Sequence, residues 1–75
     1  ADTHEYRGRA LLRLQRLEGA LSAFEASLAL APDSASARYG RGVAHTRLGN
    51  ISEGRADLDA ALAADEAVAE NYLEL

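Results

Sequence analysis

Apolar residues recur along this chain with the spacing of helices. Leu17, Leu21, Phe24 and Leu28 form one stripe and Ile51, Leu58 and Leu62 a second, steps of three, four and seven that give each stretch one apolar face. Ahead of each lies a further helical stretch, about Thr3 to Leu14 and Ala35 to Leu48, parted from its successor only by Gln15-Arg16 and Gly49-Asn50. Links this short force the helices they join to lie side by side and antiparallel. Asn50 followed by Glu53 has the form of an N-cap with its capping-box partner; the first copy, with Arg16 and Gly19 in those places, lacks it. Pro32 cannot continue a helix and turns Ala31 away from helical geometry. The two hairpins therefore part at residues 32 to 34, with Asp33 or Ser34 capping the next helix.

The hairpins are copies of one another. Ala1, Arg7, Gly8, Ala10, Arg13, Leu14, Ala26, Leu28 and Ala29 return as Ala35, Arg41, Gly42, Ala44, Arg47, Leu48, Ala60, Leu62 and Ala63, at a period of about 34 residues known for helical repeats. The chain divides into units at 1–34 and 35–68, and Ala69-Glu70-Asn71-Tyr72-Leu73-Glu74-Leu75 opens a third copy or forms a capping helix. The expected fold is all-α with about five helices. A chain that begins a third unit and stops reads as a minimal capped module or as a piece of a longer array.

Composition narrows the function. The 75 residues are 48% hydrophobic and 27% charged, with one Pro, three Tyr and one Phe, a globular profile with a thin core at this size. Alanine supplies much of the apolar count, which favours helix and close helix contact. The net charge of −4 argues against nucleic acid as a partner, since phosphate binding rests on clustered cations. No apolar run approaches the ~20 residues that span a bilayer and no charged head followed by an apolar core marks a signal peptide, so a soluble chain is expected, its compartment open between cytoplasm and periplasm. All eight basic residues are Arg, as expected of a GC-rich, bacterial coding bias. The absence of cysteine excludes disulfides and thiolate metal sites.

Catalytic chemistry finds no foothold. His4 and His45 are the only imidazoles, neither beside a nucleophile motif, and they are too far apart in sequence for a local ligand pair. Asp57 and Asp59 point to different helix faces, and Asp65-Glu66 lacks the alternating acidic pattern and central glycine of a calcium loop. Gly40-Arg41-Gly42 lies inside a predicted helix rather than ahead of one, so it is no phosphate cradle. No cofactor, no metal and no enzymatic activity are expected.

Mid-helix glycine costs roughly 0.5–1 kcal/mol relative to alanine, so Gly8 and Gly42 call for close backbone approach, Gly8 against Ala20 and Gly42 against Gly54. Running the antiparallel hairpin outward from Gly42 and Gly54 brings Arg41 toward Asp57, a pair the first copy cannot form because Ala23 stands in that place.

The spacing resembles the tetratricopeptide repeat, whose pattern is W-x2-L-G-x2-Y, then A-x3-F, then P. It falls on His4, Arg7, Gly8, Leu11, Ala20, Phe24 and Pro32, and again on Arg38, Arg41, Gly42, His45, Gly54, Leu58 and Glu66. His4 and Arg38 replace the large aromatic, Arg7 and Arg41 replace Leu in the manner of an Arg-Gly variety, and Glu66 stands in place of Pro; Tyr72 and Leu75 fill the aromatic and Leu places of the third copy. The resemblance implies a right-handed α-α superhelix and a protein-interaction adaptor whose first helices line a concave groove. That groove maps to Asp2, Glu5, Arg9, Leu12 and Arg13, then Ser36, Tyr39, Val43, Thr46 and Arg47. Arg9, Arg13 and Arg47 would face an acidic segment or a terminal carboxylate through bidentate hydrogen bonds, and Tyr39 would serve as an aromatic anchor. The Lys and Asn pattern of the chaperone-tail carboxylate clamp is missing. A structural spacer that self-associates through the array ends is the alternative.

Overall fold

The computed structural model describes residues 3–73. Four α-helices follow in order, α1 (Thr3–Arg13), α2 (Leu17–Leu30), α3 (Ala35–Arg47) and α4 (Ile51–Ala64), with no strand among the described residues. In place of the third-copy or capping helix expected over residues 69–75, the described residues form a short 3-10 helix, Val68–Tyr72; Ala1, Asp2, Glu74 and Leu75 lie outside the described residues. Each helix packs on the next, and α3 also contacts α1.

Both hairpins turn by the same device. Gln15 N donates to Leu12 O and Arg16 N to Leu11 O at the end of α1, while Gly49 N donates to Thr46 O and Asn50 N to His45 O at the end of α3. This paired bonding of the last carbonyls needs a residue at positive φ. Gly49 supplies it with φ 93° and Gln15, its counterpart in the first copy, with φ 60°; the glycine adopts that conformation freely and the glutamine under strain. Between the hairpins Ser34 caps α3, its side chain accepting from Ala37 N at 3.1 Å. Asn50 occupies the N-cap of α4 without a side-chain cap bond. Its amide instead approaches His45 Nδ1 at 3.3 Å, so the capping box read from Asn50 and Glu53 does not form.

The core gathers around Phe24 of α2, which is fully buried and clusters with the buried side chains of Leu12, Ala20, Leu28, Ala37, Ala44 and Tyr72. A Cβ at Gly8 of α1 would lie 2.8 Å from the Phe24 ring, and one at Gly40 of α3 would collide with that ring and meet the Tyr72 hydroxyl at 2.6 Å. What stands nearest to Gly8 is thus the Phe24 ring. In the second hairpin a Cβ on Gly42 would stand 3.0 Å from Gly54 O, and one on Gly54 2.9 Å from Gly42 O, so the two backbones touch. Beside this contact Arg41 Nε and Nη2 donate to Asp57 Oδ2 and Oδ1, each at 2.8 Å. Asp57 is buried to 9% exposure, and its hydrogen bonds hold the Arg41 guanidinium protonated beyond its ordinary range against the opposing effect of burial. Ala23 occupies the equivalent place in the first hairpin, and Arg7 is exposed.

Two stability measurements follow. Gln15→Gly relieves the left-handed strain and is expected to raise stability by about 0.5–1 kcal/mol, and Gly49→Ala to lower it by about 1 kcal/mol, read as urea midpoints; equal midpoints for Gln15→Gly and the parent would remove strain as the explanation. Asp57→Ala leaves a guanidinium without its bidentate acceptor and is expected to cost about 1–3 kcal/mol, more than an exposed pair contributes. An unchanged melting temperature in that variant would show that the pair does not hold α3 to α4.

Candidate functional site

The face shared by α1 and α3 carries a connected set of polar and aromatic groups. Glu5 and Arg9, one turn apart on α1, are 3.3 Å apart, a spacing that puts both on one helix face. Glu5 Oε2 also accepts from Ser36 Oγ at 2.9 Å, tying the start of α3 to α1. The Arg9 guanidinium lies 4.9 Å from the centre of the Tyr6 ring and 5.8 Å from that of Tyr72, both within range of a cation on a π face.

Tyr72 arrives here because the chain turns after α4. Asp65 closes that turn, its side chain accepting from Ala67 N at 3.1 Å and its carbonyl from Val68 N at 3.0 Å, and the 3-10 helix then runs against α3. The Tyr72 hydroxyl donates to Ser36 O at 2.6 Å. Its ring packs 5.1 Å from that of Tyr39 and 6.2 Å from that of Phe24, both tilted, the offset arrangement aromatic quadrupoles favour. Asn71 Nδ2 donates to Ser36 Oγ at 3.4 Å, so one serine hydroxyl joins α1, α3 and the terminal segment. Burial disfavours the phenolate and pushes the Tyr72 hydroxyl up to about 12, which keeps it a neutral donor. Beside this cluster a cleft of about 500 Å³ opens between Tyr6, Arg9, Ala10 and Arg13 of α1 and Glu70, Asn71 and Leu73.

Glu5, Arg9, Ser36 and Tyr39 therefore meet around one aromatic side chain, and Arg13 borders the adjoining cleft. The others are placed differently. Leu12 is fully buried and offers no surface to a partner, because that side of α1 faces the core. Val43 is half-buried against the same core. Thr46 Oγ1 donates to Gly42 O and crowds Gly54, which turns it toward α4 and away from the α1 side. Arg47 is exposed, with Nη1 3.5 Å from Leu12 O. Sequence reasoning missed Tyr72, Asn71, Tyr6 and Gly40 as members of the site. Gly40 had a signal: its counterpart in the first copy is Tyr6, so the repeat replaces an aromatic with the one residue that leaves room for another ring.

Among the described residues no cluster of His, Asp and Glu could hold a metal ion, and no helix is long and apolar enough to cross a membrane. Among protein families, the model described as tetratricopeptide repeat matches residues 7–72. Comparison with curated proteins and with solved structures returns no match.

The burial of Tyr72 sets a pH dependence. The folded chain keeps the hydroxyl proton up to about pH 12 whereas an unfolded tyrosine releases it near pH 10. Its contribution to stability is therefore complete below about pH 10 and is lost as the pH rises toward 12. The phenolate absorbance difference between the parent and Tyr72→Phe should have its midpoint near 12; a midpoint near the ordinary value of about 10 would place the hydroxyl in water.

Proposed function

The chain belongs to the tetratricopeptide repeat family, and from that premise we propose that the face of α1 and α3 captures an acidic peptide segment of a partner protein. Tetratricopeptide repeats are protein-interaction modules without catalytic activity of their own. The observation that carries the reading is the cleft beside Arg9 and Arg13, where cationic and aromatic side chains of α1 border an opening of about 500 Å³. Arg9 is oriented by Glu5 and by the Tyr6 ring, so less side-chain freedom is lost when a carboxylate arrives. Arg13 and Arg47, both exposed, extend the positive character along the two first helices and steer acidic segments toward it.

The second reading, self-association through an array end, is supported by the outer face of α4. Ile51 and Leu62 are 55% and 38% exposed there around a hollow of about 320 Å³ bordered by Thr46, Arg55, Leu58 and Asp59.

Probing a peptide array with the labelled chain separates the two. Acidic peptides should be retained and should be lost, by about tenfold or more in signal, on the double charge reversal Arg13→Glu with Arg47→Glu. Retention unaffected by that reversal would remove the α1 and α3 face as the capture surface, and concentration-dependent growth in light scattering without peptide capture would favour the α4 end.

A further inference from the structure

Tyr72 belongs to neither first helix, yet it is the side chain around which their polar groups converge. Its seat is formed by the Phe24 and Tyr39 rings, the space left at Gly40, the Arg9 guanidinium and the carbonyl of Ser36. Every one of these contacts is of a kind a separate peptide makes equally well: a ring enters an aromatic pocket, its hydroxyl reaches a backbone acceptor, and the preceding amide reaches a serine hydroxyl. The segment that fills it has little structure of its own. It is a 3-10 helix of five residues, a conformation with poor hydrogen-bond geometry that is held by its surroundings, here by the burial of Val68 and Tyr72.

We propose that this seat is a recognition pocket for a tyrosine carried on an acidic segment of a partner, and that Val68–Tyr72 fills it in cis as a stand-in for that partner. The charge of the stand-in indicates the class of ligand. Glu70 precedes Asn71 and Tyr72 and borders the same cleft as Arg9 and Arg13, so an acidic residue just before a tyrosine is what these arginines already accommodate. Cis occupancy lowers affinity for any outside segment, because the tether holds the internal one at a high effective concentration and only the vacated fraction binds. The partner must therefore displace the segment rather than fill an open groove. This inference rests on the groove reading given above.

The test uses a fluorescein-labelled peptide with the sequence of residues 66–73, titrated by anisotropy into the parent chain, Tyr72→Phe and Tyr72→Ala, with folding checked by circular dichroism. Weakest binding is expected for the parent, about two- to tenfold tighter binding for Tyr72→Phe, which keeps the ring and loses one hydrogen bond, and at least tenfold tighter for Tyr72→Ala. A peptide with Phe in place of its tyrosine should bind more weakly to every chain. Equal affinity for the three chains, or no saturable binding to folded Tyr72→Phe, overturns the proposal whether or not Tyr72→Ala folds. Dimers of the parent that Tyr72→Phe weakens would make the occupant a second copy's segment and overturn it as well. If the peptide fails while the Arg13 and Arg47 reversal still abolishes capture on the array, the groove stands and the tyrosine seat falls; if both fail, the groove falls with it.

Discussion

The position of the Phe24 ring governs the rest of this small molecule. It lies where α1, α2 and α3 converge, and it fits only because Gly8 and Gly40 present no Cβ to it. Each of those glycines costs helix stability, and the return is an aromatic side chain wholly removed from water in a chain too short to build a deep core. The approach of α1 and α3 that the ring allows then brings Glu5 within hydrogen-bonding reach of Ser36. Packing in the interior and polar geometry on the surface are consequences of one steric allowance.

The same allowance admits Tyr72. Gly40 faces both the Phe24 ring and the Tyr72 hydroxyl, so the interior and the proposed binding face share a wall. A substitution there would act on both, and the core cannot be altered independently of the surface the repeat offers to others.

Helix positions were legible because the apolar stripes and the short links between them are local signals. The expected first helices, Thr3 to Leu14 and Ala35 to Leu48, differ from α1 and α3 by their last residue. Side-chain choices were less legible. Asn50 had the sequence form of a cap, but it competes between the backbone and His45, and the imidazole wins. On the site, Leu12 and Thr46 share the surface register of Arg9 and Arg13 in a simple helix projection, yet tertiary contacts draw one into the core and the other toward α4. Tyr72 was recognisable as the aromatic that opens a third copy. Its return to α3 was not, because a turn after α4 and a 3-10 segment carry no period that would reveal where a ring more than thirty residues from Ser36 comes to rest.

The two hairpins are held together by different means. The first is closed by a large ring, whereas α4 buries only Gly54, Asp57 and Ala61 and meets α3 through touching backbones, the Leu58 side chain against Gly42 and one charged pair. In an array whose elements contact only their neighbours, stability is a sum of local interfaces, and here those interfaces are unequal. Opening should therefore begin at α4, with its amides exchanging with solvent through a partial unfolding that leaves α1 to α3 assembled. On that account α4 is the first element expected to open, and it is the one from which the Tyr72 segment is suspended.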